Sequence, residues 1–195
     1  MLKLYGSTTS PYARRLRIWL ANTQHEFINL KIFEKQDREK LMVLNPTMKI
    51  PMLVDSEGEH EQAIFDSRVI YRYLNQKFAD PVLTWEQENQ LTLIDAANDS
   101  LVQMFILAQS GIQADESLLF FKLQKERVNA VLIQLDELVA QGHFTAWNYP
   151  AISLFCLIDW VEFRQLHNLK GLTDLLAFHE NNAQRIEVTA TDPRI

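Results

Sequence analysis

The sequence predicts an α/β domain followed by an all-α domain. In residues 1–77, short segments with alternating apolar residues are interleaved with segments of helical spacing, in the order β-α-β-α-β-β-α. Residues 78–84 interrupt this pattern and contain Pro81, which disfavours a continuing helix. From Trp85 onwards, apolar residues recur only at helical spacing. We therefore predict a first domain at 1–77, a linker at 78–84 and a second domain at 85–195.

The first strand and helix are the most informative local pattern. Leu2 and Leu4 alternate with polar neighbours, as in a half-buried strand, and residues 6–9 are turn formers. Ser10 is a preferred N-cap, and Pro11 is favoured at the first helical position. This arrangement places a hydroxyl at the positive end of a helix just after a strand, which suits an anion.

The rest of the first domain follows from alternation and turn residues. We predict a strand at 26–32, a charged helix at 35–44 ended by Asn45-Pro46, an apolar strand at 48–54, a turn at 55–60 in which Gly58 can take a positive φ, a strand at 63–65, and a helix opened by Asp66-Ser67. These segments complete the predicted β-α-β-α-β-β-α order.

The second half contains apolar stripes at helical spacing. We predict long helices over 91–108 and 123–139, a third at 151–163, a shorter one at 171–178, and a polar tail containing Pro193. The helix at 151–163 is apolar nearly all round, which predicts a buried position in the middle of a bundle.

The composition and net charge indicate a globular protein and argue against nucleic-acid binding. The 195 residues are 47% hydrophobic and 23% charged with a net charge of −6, which is ordinary for a globular protein and carries no basic footprint for nucleic acid. Arg14, Arg15 and Arg17 form a local basic cluster, which we interpret as a solvated helix face.

Cysteine and histidine usage predicts no metal site and no internal disulfide. Cys156 is the single cysteine, and the five histidines lack ligand spacing. The N-terminus lacks the pattern of a signal peptide, and no apolar run approaches the roughly 18 residues of a membrane span. These observations favour a cytoplasmic protein with no membrane partner.

Four local patterns, in this order, carry a resemblance to a known family. They are Ser10-Pro11-Tyr12 followed by Arg15-Leu16-Arg17-Ile18, then Lys49-Ile50-Pro51-Met52-Leu53, then Asp66-Ser67, and finally Asn148 before the apolar helix. With the all-α second half, the whole chain resembles the cytosolic glutathione S-transferases, whose first domain is thioredoxin-like. The triplet at Ser10 resembles the serine-type, bacterial-like members.

The resemblance implies that Ser10 donates a hydrogen bond to the glutathione sulfur. A hydroxyl donor and a helix N-terminus both favour the thiolate, which is the nucleophile, and so lower the thiol pKa. Thr9 is the fallback donor, since some serine classes place the hydroxyl two residues before the proline. From the residues alone, Ser10 could equally be only an N-cap.

The resemblance also implies the rest of the glutathione site. Pro51 would be cis, the backbone of Ile50 would pair with the cysteinyl backbone, and Lys49 would lie near the glycyl carboxylate. Asp66 and Ser67 would bind the γ-glutamyl group. The residues alone also allow a trans proline, a solvated lysine and a simple N-cap pair.

One pattern departs from the family. A Ser or Thr followed three residues later by Asp usually caps the buried helix, whereas this chain has Asn148 and Ala151. Asn148 can still cap, but the reciprocal carboxylate is missing. This departure concerns stability and does not involve the glutathione site.

The function implied by the resemblance is conjugation of the glutathione thiolate to a hydrophobic electrophile, by a homodimer. The acceptor pocket would involve Tyr12, Met104, Phe105 and Ala108.

Three alternatives remain. A thiol reductase would need a cysteine at position 10, whereas Cys156 lies in the apolar helix. A zeta-like isomerase would carry a Ser-Ser-Cys pattern that residues 9–12 lack. A non-catalytic protein that binds a partner, as the bacterial stringent-starvation proteins do, is the third, because the fold alone does not fix function.

Overall fold

The computed structural model describes residues 1–57 and 60–195, which form two compact units. The first unit comprises Met1–Val82 together with Gln184–Ile195, and the second comprises Leu83–Ala183. A four-stranded sheet with helices forms the first unit, and the second is helical, so the predicted fold class is confirmed. The predicted turn at Gly58 lies outside the described residues.

The helices and strands follow one another as the sequence order predicts. The first unit contains β1 (Leu2–Gly6), α1 (Pro11–Trp19), β2 (His25–Asn29), α2 (Lys35–Leu44), β3 (Met52–Glu57), β4 (His60–Phe65) and α3 (Ser67–Phe78). The second contains α4 (Trp85–Gln109), α5 (Leu119–Ala140), α6 (Tyr149–Arg164) and α7 (Thr173–Asn182), after which α8 (Ile186–Thr189) belongs to the first unit again.

The sheet has the strand order β2-β1-β3-β4. β1 runs parallel to β2 and antiparallel to β3, which in turn is antiparallel to β4. In β1, Leu2 and Leu4 are buried while Lys3 and Tyr5 are half-buried, which confirms the predicted alternation. This register determines which loops meet at each end of the sheet.

Helix α1 packs closely on the end of β1 through Gly6. A Cβ atom at this position would lie 2.6 Å from the Cβ of Ala13, closer than two carbon atoms can approach. Only glycine therefore fits at position 6 without a steric clash. The sequence analysis treated this residue only as a turn former.

The predicted turn at 55–60 is wrong at both ends. β3 continues through Glu57 and β4 already begins at His60. Polar residues occupy these strand ends because they find partners: the buried carboxylate of Asp55 accepts a hydrogen bond from Tyr73 Oη at 2.7 Å. The predicted strand at 26–32 is also too long, because β2 ends at Asn29.

The predicted polar tail is instead an ordered segment of the first unit. Val188 and Thr191 are buried. Arg14 donates hydrogen bonds to the Val188 carbonyl oxygen at 3.1 Å and to Thr191 Oγ1 at 3.4 Å. The contacts thus group Gln184–Ile195 with the α/β unit, although our prediction placed this segment in the second domain.

The interpretation of the basic cluster as a solvated face is wrong. Arg14 and Arg15 are only 4% and 2% exposed. Arg17 is half-buried, with its guanidinium carbon 4.4 Å from the centroid of the Phe27 ring. A guanidinium can be buried where its several N–H groups meet acceptors or aromatic faces, and net charge counts do not reveal such partners.

In the second unit, α6 is the central helix. It is buried along nearly its whole length and packs against α4 and α7, which confirms the predicted buried position. Asn148 caps it by accepting a hydrogen bond from the Ala151 N–H at 3.2 Å. Asparagine therefore performs the cap that Ser or Thr provides elsewhere.

Among the described residues, helix α4 is long and apolar enough to cross a membrane by length and composition alone. Its 25 residues are long enough, and an 18-residue window has a mean hydropathy of 1.3. Core helices can share these properties, and α4 packs against α5 and α6, so the length and hydropathy are weak evidence for a membrane span.

Candidate functional site

Three loops meet at one edge of the sheet in the first unit. The Cα partners Tyr5, Met52 and Phe65 lie side by side at the end of β1, the start of β3 and the end of β4. The turn leading to Ser10, the Ile50–Pro51 peptide and Asp66 therefore adjoin the same edge. This edge is the candidate site.

Ser10 is the N-cap of α1. Its Oγ accepts a hydrogen bond from the Ala13 N–H at 3.3 Å, and the residue is half-buried. This bond uses an oxygen lone pair and leaves the hydroxyl proton for another acceptor. The capping role and a role as donor to a bound anion are therefore compatible.

Thr9 is held in the turn before α1. Its Oγ1 lies 3.2 Å from Ser7 Oγ, and its backbone N–H donates to the same Ser7 oxygen at 3.4 Å. The Thr9 hydroxyl is thus engaged locally, whereas the Ser10 hydroxyl caps the helix. Tyr5 lies within β1.

The loop before β3 is organised by Asn45, which sequence reasoning treated only as a helix terminator. This residue is fully buried, and its side chain donates to the Lys49 carbonyl oxygen at 2.8 Å. Its Oδ1 accepts from the Thr47 N–H at 3.0 Å and from Thr47 Oγ1 at 2.8 Å. These bonds fix the backbone that leads into the Ile50–Pro51 peptide, which is cis, while the Lys49 side chain is exposed.

Asp66 adopts an unusual backbone conformation at the start of α3. Its φ of 70° and ψ of 135° are rare for a residue other than glycine. One carboxylate oxygen, Oδ1, accepts hydrogen bonds from the N–H groups of Arg68 at 2.8 Å and Val69 at 3.3 Å. Such strained positions concentrate at ligand-binding clamps, and the cap bonds help to hold this one.

Arg15 joins α1 to α3. Its Nη2 donates a hydrogen bond to the Oγ of Ser67, and both residues are 2% exposed. The guanidinium carbon lies 5.1 Å from the centroid of the Tyr12 ring. The structure thus connects two predicted site residues, Tyr12 and Ser67, through an arginine that the sequence analysis did not select.

The remaining candidate residues lie on α4 in the second unit. Phe105 packs edge-on against Trp160 with ring centroids 5.8 Å apart, and the Arg164 guanidinium carbon lies 5.3 Å from the Phe105 centroid. Met104 is half-buried and Ala108 is exposed. The acceptor pocket formed with Tyr12 stays a prediction.

A charged cluster occupies the opposite end of β3. Burial raises the pKa of Asp55, but hydrogen bonds from Lys77 and Tyr73 outweigh it, and the net pKa is below the usual value. Burial and the hydrogen bond to Asp55 raise the pKa of Tyr73. Hydrogen bonds to Asp55 and Glu57 raise the pKa of Lys77.

No metal centre is found in the described part of the chain. Among residues 1–57 and 60–195, no three His, Cys, Asp or Glu side chains are grouped so that they could hold an ion. Cys156 is buried in α6.

Comparison with known proteins finds a similar domain family for the first unit. Residues 4–82 match the model of the glutathione S-transferase N-terminal domain. The first unit is thus similar to the N-terminal domain of glutathione S-transferases. The matched span contains all three loops of the candidate site.

The relatives that match this chain are distant in sequence. The uncharacterized GST-like protein YibF of Escherichia coli is 29% identical over 177 residues, which cover 85% of this chain and 84% of YibF. A stringent starvation protein A homolog of Haemophilus influenzae is 28% identical over 106 residues, or 54% of this chain and 46% of that protein.

Solved structures share the fold over the whole chain. A glutathione S-transferase of Methylobacillus flagellatus with glutathione bound superposes with a TM-score of 0.84 at 22% identity, covering 99% of this chain and all of that one. Glutathione S-transferase 1-6 of Anopheles dirus gives 0.78 at 17% identity, covering 98% and 94%. These similarities confirm the thioredoxin-like and all-helical architecture.

Proposed function

We propose that this protein is a glutathione transferase that conjugates the glutathione thiolate to a hydrophobic electrophile. The observation that carries the proposal is the meeting of Ser10, Pro51 and Asp66 at one edge of the sheet. Two further features support it: residues 4–82 match the glutathione S-transferase N-terminal domain, and two solved structures of similar fold contain bound glutathione.

In the proposed complex, each loop binds one part of the tripeptide. The backbone of Ile50 pairs with the cysteinyl backbone, and Lys49, being exposed, attracts the glycyl carboxylate. Asp66 has a second carboxylate oxygen for the γ-glutamyl ammonium, and Ser67 binds the γ-glutamyl carboxylate.

Ser10 performs the chemical role at this site. Its hydroxyl donates to the sulfur, and the positive end of α1 stabilises the same charge, so the thiolate fraction rises near neutral pH. The thiolate then attacks an electrophilic carbon: a carbon–sulfur bond forms, and the displaced group leaves with its electron pair.

The experiment compares Ser10→Ala with Thr9→Val. We expect the wild-type protein to be stabilised by millimolar glutathione, by about 2.7 kcal/mol at 100 times Kd, and to conjugate a generic chloronitrobenzene electrophile. Ser10→Ala should still bind glutathione but lose about 10- to 100-fold in kcat/KM, because a donor to the thiolate is lost.

Thr9→Val is the matched control and should conjugate at the wild-type rate. Unchanged conjugation by Ser10→Ala together with loss in Thr9→Val would assign the donor to Thr9. Binding of glutathione without conjugation of any electrophile would contradict the transferase proposal. Absence of binding would favour the partner-binding function, which the match to a stringent starvation protein A homolog keeps open.

We also propose that the protein is a cytoplasmic homodimer, as the family resemblance implies. The edge strand β4 and helix α3 border an open groove of about 480 Å³, lined by residues that include Phe65, Val69 and Tyr73. This groove is a candidate for the surface between the two copies, and sedimentation equilibrium measures the oligomeric state.

A further inference from the structure

We propose that Arg15 is a positioning residue for glutathione recognition: it holds the Ser67 hydroxyl and places positive charge behind it, toward the α-carboxylate of the γ-glutamyl group. The inference rests on the proposed function, since it assigns a role within the same binding site. It departs from the sequence interpretation, in which Arg15 was part of a solvated face.

The direction of the hydrogen bond supports this role. A guanidinium can only donate, so Ser67 Oγ accepts from Arg15 Nη2, and the Ser67 proton is directed away from Arg15. A hydroxyl that accepts a charge-assisted bond is polarised and becomes a better donor in turn. A hydroxyl donor with a guanidinium next to it binds a carboxylate better than it binds a neutral group.

The burial of both partners strengthens the electrostatic effect. Arg15 and Ser67 are each 2% exposed, so water screens the guanidinium charge much less than at the surface. Ser67 is the first residue of α3, where the helix N-terminus adds positive potential of the same sign. The arginine and the helix therefore act together on an anion bound at this position.

The Tyr12 ring explains why arginine suits the position better than lysine. The guanidinium carbon lies 5.1 Å from the ring centroid, within the distance of a cation–π contact. A planar guanidinium can contact an aromatic ring and donate to a hydroxyl at the same time, whereas an ammonium is a compact point charge. Tyr12 and Ser67 together fix the orientation of the Arg15 side chain.

The test uses two ligands and measures their dissociation constants by calorimetry. One is glutathione, and the other is 4-aminobutanoyl-cysteinyl-glycine, which lacks only the α-carboxylate of the γ-glutamyl group. We expect Arg15→Met to weaken glutathione binding about 10- to 100-fold and to bind the second ligand as the wild type does. Ser67→Ala should give the same selectivity, and the double variant should be no weaker than Ser67→Ala alone.

Arg17→Met is the matched control, because it removes a neighbouring arginine of α1 that contacts Phe27 instead of Ser67. It should retain wild-type affinity for glutathione. If Arg15→Met does not fold, Arg15→Lys provides the test: it keeps the charge and should lose affinity selectively for glutathione, by a smaller factor.

Two results would overturn the inference while leaving the proposed function intact. One is wild-type glutathione affinity in the Arg15 variants, and the other is an equal loss for both ligands, which a purely structural role would produce. Failure of the wild-type protein to bind glutathione would instead remove the proposed function, and the inference with it.

Discussion

At the scale of single residues, several polar side chains of this protein are buried together with specific hydrogen-bonding or ionic partners. Asp55 lies toward the end of β3 that is opposite the candidate site, and it is only 4% exposed although it is charged, because Tyr73 Oη and Lys77 Nζ both lie 2.7 Å from its carboxylate. The same logic applies to Arg15 with Ser67 and to Asn45 with Thr47. Each group is buried because specific donors or acceptors replace water.

The Asp55 cluster predicts how stability depends on pH. The pKa of Asp55 is lower in the folded protein than in the unfolded chain, where it is about 3.9. The contribution of Asp55 to the free energy of unfolding is therefore present above that pH and is lost as the pH falls further. Asp55→Asn should therefore be less stable than the wild type at pH 7. Its free energy of unfolding, measured by urea titration, should fall less steeply than that of the wild type as the pH is lowered below about 4.

Glu39→Gln is the control for this experiment, since Glu39 is 59% exposed in its pair with Lys35. It should keep the wild-type acid dependence, because exposed pairs contribute little. Identical slopes for Asp55→Asn and the wild type would refute the prediction. Tyr73 sets a limit on stability at alkaline pH. Because its pKa is raised in the folded protein, its contribution to the free energy of unfolding is lost as the pH rises above about 10.

At the scale of elements, the position of α1 on the sheet determines the geometry of the candidate site. The helix carries Ser10 at its N-cap and Arg15 one turn further on, so a shift of α1 moves both. Its close approach to β1 is possible because Gly6 has no side chain. The N-terminus of α3, with Asp66 and Ser67, completes the arrangement.

Gly6→Ala tests this packing. The new Cβ would meet Ala13 Cβ at 2.6 Å, so α1 must move, and we expect about 1–3 kcal/mol of destabilisation with weaker glutathione binding. Adding Ala13→Gly removes the clashing atom, leaving the Phe27 ring at 3.4 Å as the nearest contact. The double variant should therefore be more stable than the sum of the single changes predicts, whereas simple additivity in denaturant unfolding would refute the clash.

At the scale of the whole molecule, the chain leaves the first unit and returns to it. After the helical unit Leu83–Ala183, the segment Gln184–Ile195 rejoins the α/β unit. Val188 and Thr191 are the residues through which Arg14 of α1 holds this segment. The two units are therefore not independent stretches of sequence.

Truncation measures the contribution of the returning segment. Removal of residues 186–195 removes two of the acceptors of Arg14, the Val188 carbonyl oxygen and Thr191 Oγ1, and exposes apolar surface, so we expect a loss of about 2–4 kcal/mol in the free energy of unfolding. Removal of residues 194–195 alone, which are exposed, should have little effect. Equal stability of the two truncated proteins would show that the segment does not support the first unit.

The sequence by itself determined the order of the elements from β1 to α7 and a few of their boundaries. Ser10-Pro11 predicted the start of α1, the charged segment predicted α2, and the apolar run predicted the buried α6. These features depend on capping, proline geometry and hydrophobic periodicity. All three are determined by residues that are close in sequence, so they need no long-range contacts. The family resemblance also followed from local motifs in order.

Only the tertiary structure decided which polar groups are buried and what they contact. Arg15 meets Ser67 across 52 positions of the chain, and Arg14 meets Thr191 across 177. No local pattern distinguishes such arginines from solvated ones, because their burial depends on acceptors that the fold brings from elsewhere. For the same reason, the sequence predicted a polar tail at the C-terminus, whereas the structure shows that Arg14 of α1 binds this segment.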